Sequence, residues 1–592
     1  MAKKILSCVA WPYANGYQHV GHLAGAYLPP DIFARYHRLA GNDVLMVSGS
    51  DSHGTPTTVR ADAEGVAPRV IFERYHQTFL ETYQQIGLTF DLFTHTDTEN
   101  HFRVAQDIFL QILERGYLYK EVQSQLYSPK EGRFLPDRYV EGTCPHCGSP
   151  DARGDQCDNC GKLLEPTELI NPRSKASGDT GLELRETEHF FLDLARLSDA
   201  LEAWLGSGKE HWRPNVLNFA QNYVRSGLRG RPITRDIDWG IPLPLPGYVG
   251  KCLYVWFEAV MGYFSASIEW SANQGRPGAW KEWWYNPAAL TYYFIGKDNI
   301  PFHTVIWPGE LIALGQIYGD DPGDRLNLPY DVPANEFMNF KGIKFSKSRG
   351  RTVDVPYFLS RYDPDPLRYY LTAVAPESRD TEFSWEEFVE RNNNELVATW
   401  GNLANRMLSF AYKQFDGRVP EPGPLDAADR ELLDRADGAF AVVGELLAAC
   451  KFRAALGEAM ALAREANGYL DRKAPWFQIK TDRAAAATSV YVILQVVDHL
   501  KTLLAPVLPH TAQQLHEYLG HEGQLFGTQR VIEVEERERK HRALTYDPSG
   551  AVGAWAPGRL APGLALRPPA PLFKKLDESV VEEEYARLEG DL

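Results

Sequence analysis

Residues 4–51 decide the fold, and they read KILSCVAWPYANGYQHVGHLAGAYLPPDIFARYHRLAGNDVLMVSGSD. The apolar run at residues 4–11 predicts a strand, and residues 21–41 predict a helix that ends at Gly41. DVLMVSGSD at residues 43–51 predicts a second strand. A strand, a helix and a second strand in this order are typical of a parallel, doubly wound sheet, so we expect an α/β protein.

Two further regions follow this start. Residues 116–240 are rich in Gly, Pro and Cys and predict an insertion, after which apolar strands are expected at residues 252–263, 290–300 and 302–308. From residue 387 to about 520 the pattern is helical, with Leu396, Trp400, Leu403, Met407 and Phe410 on one face. Residues 541–570 are rich in Pro, Gly and Ala and predict an irregular segment.

These patterns predict a Rossmann-type, doubly wound sheet split by an insertion and followed by an all-α bundle. The expected parts are a first half of the sheet core (1–115), the insertion (116–240), the second half of the core (241–330), a region with a basic loop (331–388), the bundle (389–540) and an irregular C-terminal tail (541–592).

Charge and hydropathy exclude some classes of protein. No apolar stretch approaches ~18 residues, which excludes a membrane-spanning helix. The N-terminus lacks the features of a signal peptide, so we expect a cytoplasmic protein. The net charge of −16 does not favour a nucleic-acid partner, but binding needs only a local basic surface. RSGLRGRPITR at residues 225–235 is a candidate, with a solvated charged loop as the alternative.

The motif HVGH at residues 19–22 follows the first predicted strand. His19 and His22 are three residues apart, so on a first helical turn they project to the same side. Gly21 leaves room for a ligand near the backbone, and a helix N-terminus offers free N–H groups to phosphate. The motif predicts a phosphate site, although two surface histidines would also fit.

A basic loop, KFSKSRG, occupies residues 344–350. Lys344 and Lys347, with two serines and an arginine, suit a mobile loop that closes on a triphosphate. By itself such a loop is also typical of a solvated basic segment.

Four of the seven cysteines form two CxxCG pairs, CPHCG at residues 144–148 and CDNCG at residues 157–161. Four thiolates make a closed tetrahedral site, which predicts one structural zinc ion rather than a catalytic one. The predicted ligands are Cys144, Cys147, Cys157 and Cys160. His146 could compete as a ligand, and residues 127–134 just upstream contain no cysteine for a second knuckle.

Taken together, HxGH early and KxSKS late around a split sheet resemble class I aminoacyl-tRNA synthetases. The finer resemblance is to methionyl-tRNA synthetases. It rests on WPYANG at residues 11–16, GSDSHGTP at 49–56, YVWFEA at 254–259 and FIGKD at 294–298, with His303 and Trp307. It covers most of the chain, and Val260 departs from it where some members carry proline.

The resemblance implies the substrates and the residues that bind them. Methionine would be bound by Tyr13, Asp51, Arg235, Trp256, Ala259, Tyr263 and His303. ATP, with Mg²⁺, would be bound by His19, His22, Gly296, Asp298 and Lys347. The implied catalytic residues are His19, His22, Lys344 and Lys347. The anticodon of tRNA(Met) would be read by Asn402, Arg406 and Trp476.

Three alternatives remain open at this point. Synthetases for isoleucine, valine or leucine have a larger inserted domain, and those for cysteine hold zinc in the active site. A nucleotidylyltransferase also uses HxGH but needs no helical bundle. A zinc-knuckle RNA-binding protein would lack catalysis. The chain ends soon after APLF at residues 570–573, as shorter family members do, so we expect a monomer.

Overall fold

The structure is a computed structural model, and it describes residues 2–136, 139–154, 157, 159–160, 164–340 and 352–590. The first half of the catalytic core alternates strands and helices, as the opening stretch predicts. Its elements are β1 Lys4–Val9, α1 Val20–His22, α2 Leu28–Leu39, β2 Asp43–Ser50, α3 Thr55–Glu64, α4 Pro68–Ile86, β3 Leu92–His95 and α5 Glu99–Glu114. A π-helical turn, Leu23–Tyr27, separates α1 from α2.

The insertion is built mainly of strands. Its elements are β4 Leu118–Ser128, β5 Arg133–Phe134, β6 Val140–Thr143, β7 Ala152–Arg153, β8 Ile170–Ser174, β9 Glu183–Leu192, α6 Leu194–Leu205, α7 Pro214–Arg225, β10 Arg231–Pro232, β11 Thr234–Arg235 and β12 Cys252–Leu253. The sheet β10-β9-β4-β5 forms its body, and the small sheet β7-β6-β8 carries the cysteine pairs.

The second half of the core returns to the first sheet. Its elements are α8 Val255–Glu258, α9 Gly262–Asn273, α10 Lys281–Trp284, β13 Leu290–Gly296, α11 Trp307–Leu314, β14 Ala334–Asn335, β15 Met338–Phe340, α12 Val355–Arg361, α13 Pro364–Ala373 and β16 Thr381–Phe383. Two predicted strands are wrong here, because residues 255–273 and 302–314 are mainly helical. Short apolar runs buried on all sides look alike whether they form strands or helices.

The bundle is helical, as predicted. It comprises α14 Trp385–Arg391, α15 Asn402–Gln414, α16 Ala427–Ala448, α17 Phe452–Lys473, α18 Pro475–Thr481, α19 Arg483–Leu504 and α20 Pro509–Tyr518, with a π-helical segment, Asn392–Gly401, before α15. Ala474, between α17 and α18, has φ 44°, in the left-handed region that residues with a Cβ rarely adopt. None of the described helices combines the length and the apolar composition that a bilayer span requires.

The last part of the chain differs from the irregular tail that we expected. A hairpin of β17 Thr528–Glu535 and β18 Lys540–Asp547 crosses the predicted boundary at residue 540, and α21 Ser579–Gly590 follows. The hairpin strands are rich in Glu, Arg and Lys, so they lack a clear apolar strand pattern.

The main sheet has the order β14-β13-β1-β2-β3-β18-β17. Its first five strands run parallel, and the hairpin adds to β3 in the antiparallel direction. The chain moves from β1 to β2 and β3 on one side and later to β13 on the other, so the sheet has a switch point between β1 and β13. Ligands of such sheets bind at the carboxyl ends of the strands beside this point.

One buried arginine joins the core to the bundle. Arg368 of α13 is fully buried, and its guanidinium contacts Asp31 Oδ2 of α2 at 2.6 Å. It also donates to the backbone oxygens of Ile86, Pro506 and Val507. Burial raises the pKa of Asp31, but the charges of Arg35 and Arg368 outweigh it and lower the pKa to about 2. Four segments far apart in sequence therefore meet at one buried guanidinium.

Candidate active site and metal centre

A cavity of about 490 Å³ lies at the switch point of the sheet. Most of the predicted substrate-binding residues line it, although they come from six separate parts of the chain. These residues are Tyr13, His19, His22, Asp51, Trp256, Ala259, Tyr263, Gly296, Asp298 and His303. The fold therefore brings together the residues that the motifs single out one by one.

The two histidines of HVGH lie where the motif predicts, at the start of α1. Their rings stack with centroids 3.6 Å apart, and the His19 backbone N–H donates to His22 Nδ1 at 3.1 Å. His19 also forms a β-bridge with Asp354, just before α12. The pair is thus fixed between the first helix and the segment that precedes α12.

Asp51 follows β2 and lies beside Tyr13, with which it forms a parallel β-bridge. Its Oδ1 accepts a hydrogen bond from the His53 backbone N–H at 3.2 Å. Burial, and then the negative charge of Glu258, raise the pKa of Asp51 well above its usual range. A carboxylate that is costly to ionise in the free protein would be stabilised by a cationic ligand in the cavity.

The sequence interpretation missed Glu258, although it lies within the YVWFEA motif. It is fully buried on α8, and its carboxylate lies 2.8 Å from His53 Nδ1 and 2.8 Å from His101 Nε2. Burial raises its pKa, but His53 and His101 outweigh it and lower the pKa. A carboxylate inside an apolar motif was the available signal, because buried charges need partners.

Aromatic side chains form the opposite wall. Trp256 stacks on Phe302 with centroids 4.5 Å apart and meets Tyr13 edge to face. His303 Nδ1 lies 3.0 Å from the Asn299 carbonyl oxygen and must donate to it, so Nε2 accepts from Tyr263 Oη at 2.7 Å. Burial lowers the pKa of His303 to about 4. The wall is therefore uncharged at neutral pH.

Gly296 and Asp298 lie at the carboxyl end of β13, on the far side of β1 from Asp51. A Cβ on Gly296 would lie 2.9 Å from Asp298 Oδ1, which favours glycine at this tight turn. The adjacent Lys297 contacts Glu336 and Asp380 at 2.8 and 2.6 Å. Asp298 lines the cavity, and so does Glu336, which the motifs did not single out.

One described residue, Arg235, is not brought to this cavity, so its predicted place in the methionine site is not borne out by the cavity lining. Arg235 instead lines a second cavity of about 860 Å³ in the insertion, together with Arg229 and Arg231. Its guanidinium lies 4.0 Å from the centroid of the Tyr254 ring and donates to the Thr234 carbonyl oxygen. Lys344 and Lys347 lie outside the described residues.

The four clustered cysteines come together as a group that could hold a metal ion, with all sulfurs within 4.8 Å of one another. The Sγ atoms of Cys144 and Cys160 are 3.9 Å apart, and those of Cys147 and Cys157 are 3.6 Å apart. Tetrahedral zinc with Zn–S bonds of ~2.3 Å places sulfurs about 3.8 Å apart, so this donor set fits zinc. His146 contributes its backbone N–H to Cys144 Sγ.

The three predicted anticodon residues lie on two helices of the bundle. Asn402 and Arg406 are exposed on α15, and Trp476 is half-buried on α18. The Arg406 guanidinium lies 4.7 Å from the centroid of the Trp476 ring. Trp476 also packs against the large apolar core that the bundle shares with one face of the sheet.

Comparison with known proteins decides the family. A family described as "tRNA synthetases class I (M)" matches residues 5–408, and one described as "Anticodon binding domain of methionyl tRNA ligase" matches residues 419–541. The methionine–tRNA ligase of Thermomicrobium roseum is 59% identical over 98% of this chain and 98% of its own length. The chain belongs to the methionyl-tRNA synthetase family. It is therefore a class I aminoacyl-tRNA synthetase and a ligase, as predicted.

Other members of the methionyl-tRNA synthetase family agree. The methionine–tRNA ligase of Roseiflexus sp. is 55% identical and covers 99% of both chains. The structure of Mycobacterium tuberculosis methionyl-tRNA synthetase in complex with methionyl-adenylate has a TM-score of 0.76 at 28% identity, covering 97% of this chain and 100% of that one. The structure of the free form of that enzyme has a TM-score of 0.67 at 26% identity, covering 97% of this chain and 98% of that one. Isoleucine, valine, leucine and cysteine enzymes are not favoured.

Proposed function

We propose that this chain activates L-methionine with ATP and transfers the methionyl group to the terminal ribose of tRNA(Met). A methionine carboxylate oxygen attacks the α-phosphorus of ATP, the bond to the bridging oxygen breaks, and pyrophosphate leaves. The ribose hydroxyl, expected to be the 2′-OH, then attacks the adenylate carbonyl and AMP leaves. The observation that carries the proposal is one cavity with a buried carboxylate, a neutral aromatic wall and the HVGH pair.

Methionine would lie between Asp51 and the aromatic wall. The Asp51 carboxylate would bind the substrate ammonium, whose charge favours the ionised form. Tyr13, Trp256, Ala259, Tyr263 and His303 would surround the thioether, which interacts well with aromatic rings. The neutral Tyr263–His303 pair places no charge against the sulfur. We keep Arg235 as a proposed methionine residue that needs its own test, because it lines the other cavity.

ATP would lie across the carboxyl ends of β1 and β13. His19 and His22 at the start of α1 would donate to phosphate oxygens, and Gly296 and Asp298 would contact the nucleoside. We propose Lys344 and Lys347 as the cations that stabilise the leaving pyrophosphate. Mg²⁺ would enter with ATP, and the Asp298 and Glu336 carboxylates that line the cavity are ligands of the type it prefers.

The cysteine group would hold one structural zinc ion, because four thiolates leave no open position for catalysis. In the bundle, Trp476 would stack on an anticodon base while Asn402 and Arg406 read base edges. We further propose that the protein is cytoplasmic and monomeric.

Exchange of radioactive pyrophosphate into ATP tests the reaction directly. We expect exchange that depends on L-methionine and does not require tRNA, with no comparable exchange for isoleucine, valine, leucine or cysteine. Sedimentation of the purified protein would test the monomer. The proposal would be contradicted if another amino acid supported exchange equally well, or if methionine supported no exchange.

A further inference from the structure

The hairpin of β17 and β18 attaches to the catalytic sheet beside the strand ends that carry the cavity. β18 pairs with β3 through Leu544 with Phe93 and Thr545 with Leu92. The side-chain amide of Gln529 donates to the Phe90 carbonyl oxygen at 3.1 Å. The hairpin lies outside the catalytic family match, and only its first strand and the first residues of its second fall in the anticodon-domain match.

A first buried contact joins the hairpin to α9, the helix that carries Tyr263. His541 Nε2 of β18 lies 2.9 Å from Glu269 Oε1, and the Thr94 hydroxyl donates to the other oxygen of this carboxylate at 3.2 Å. Both charged side chains are about 5% exposed. Burial lowers the pKa of His541, but Glu269 and Glu536 outweigh it and raise the pKa to about 9. This contact is therefore an ion pair at neutral pH.

A second contact reaches β2 next to Asp51. His76 of α4 is buried, with Nδ1 2.8 Å from Ser50 Oγ and Nε2 2.8 Å from the Arg542 carbonyl oxygen. The carbonyl can only accept, so Nε2–H donates to the hairpin and Nδ1 accepts from the Ser50 hydroxyl. One imidazole thus connects the hairpin backbone to the residue that precedes Asp51.

The turn of the hairpin makes a third set of contacts. Arg539 contacts Asp97 at 3.1 Å, and Glu536 Oε1 accepts from the Asn100 backbone N–H. The Asn100 amide donates to the Ser265 carbonyl oxygen of α9. The hydroxyl of Ser265 contacts His101 Nδ1, and His101 Nε2 in turn contacts the buried carboxylate of Glu258.

We infer that the hairpin at residues 528–547 is a positioning element of the methionine site, and that His76 and His541 are its positioning residues. They touch no substrate. They fix the end of β2, which leads into Asp51, and the helix α9, which carries Tyr263. Asp51 and Tyr263 both line the cavity. This inference rests on the proposed methionine site, and it adds a part of the chain that lies more than 400 residues from Asp51 in sequence.

Removal of residues 528–547 is the direct test. The two ends of the hairpin lie close together, because a Cβ placed on Gly527 would be 2.8 Å from Pro548 Cα. Residues 527 and 548 can therefore be joined directly. We expect the KM for methionine in pyrophosphate exchange to rise on the order of tenfold while the KM for ATP is unchanged. Unchanged methionine kinetics, or an equal rise in both KM values, would overturn the inference.

Point variants make the test independent of the deletion. His76→Ala should raise the KM for methionine roughly five- to tenfold, about the effect of one lost hydrogen bond. Gln77→Ala is the matched control, because Gln77 is the next residue on α4 and accepts from the Arg542 guanidinium without contacting β2. If His76 transmits the hairpin contact, His76→Ala should add nothing in the deleted protein. Additive effects would contradict the role.

Asp51→Asn separates this inference from the proposed function. If Asp51→Asn leaves the KM for methionine unchanged, the methionine site itself is misplaced. If Asp51→Asn raises that KM and neither the deletion nor His76→Ala does, the site stands and the positioning role of the hairpin is wrong.

Discussion

The cavity of the sheet and the proposed anticodon site of the bundle hold their candidate residues in different ways. In the cavity, Asp51, Tyr263 and His303 are buried and hydrogen-bonded. At the proposed anticodon site, Asn402 and Arg406 are exposed, and Arg406 lies over the half-buried Trp476. Buried, oriented groups act on a substrate without reorganising, whereas exposed ones must first give up water and side-chain freedom. A single residue should therefore matter more in the cavity.

Asp51→Asn should give the largest effect. The neutral amide lacks the negative charge that attracts the substrate ammonium, so we expect kcat/KM for methionine-dependent exchange to fall on the order of 10²–10³-fold. The free protein should nevertheless melt at a higher temperature at neutral pH. The raised pKa of Asp51 means that its ionised form is disfavoured in the folded state, and asparagine removes that charge.

Calorimetry and exchange on the same preparation check both parts. Asp43→Asn is a control, since Asp43 is an exposed carboxylate at the other end of β2. A lower melting temperature together with lost exchange would mean that Asp51 is a structural residue, and the contrast between the two regions would then weaken.

Trp476→Ala should give a smaller effect that is confined to tRNA. Loss of one stacking ring costs ~1–3 kcal/mol, or roughly ten- to a hundredfold in aminoacylation efficiency. Pyrophosphate exchange without tRNA should stay near normal, because Trp476 lies in the bundle and does not line the cavity. Phe477→Ala, an exposed aromatic next in sequence, is the comparison variant.

Trp476 also packs against the apolar core, so its replacement could change stability as well as tRNA binding. If Trp476→Ala lowers the melting temperature and both activities together, its main role is packing. A stable variant that charges tRNA as well as the parent would place anticodon reading elsewhere.

Methionine affinity should fall as the pH is lowered toward the pKa of Asp51. Burial and the charge of Glu258 raise the pKa of Asp51. As the pH is lowered, Asp51 should therefore become protonated, and lose the charge that would bind the ammonium, at a higher pH than a surface aspartate does. Affinity should rise with pH through this pKa, by at most about tenfold per pH unit. Calorimetric titration of methionine from about pH 5 to 7.5, where its amino group stays protonated, measures this. Constant affinity across that range would contradict the assignment of Asp51.

Cys157→Ser should have the smallest effect on exchange. It should remove the metal and disorder the small sheet of the insertion, because structural zinc contributes on the order of 10 kcal/mol to such a site. Exchange should fall far less than for Asp51→Asn, because none of the four cysteines lines the cavity, although their small core packs against Val59 of α3. Elemental analysis should find one zinc ion per chain before the change and none after it; two ions in the parent would contradict the assignment.

Local patterns predicted what short segments decide. The first strand, the HVGH turn, the end of the helix at Gly41 and the cysteine pairs all depend on residues close in sequence, and the structure contains them. Glu258 and the hairpin were missed because their partners lie far away, as His101 and Glu269 show. Residues 255–273 were misread because a buried helix and a buried strand can share one apolar composition.

Arg368 has a consequence for how the chain reaches its folded state. Asp31 is made early in synthesis, but the carbonyl groups of Pro506 and Val507 that share its arginine partner emerge far later. Until then Asp31 has only its nearby partners Arg35 and Thr89, and the nascent catalytic core exposes an apolar face that the bundle eventually covers. We therefore expect a ribosome-bound chain to stay incompletely packed until most of its length has appeared, and chaperones to bind it during this interval.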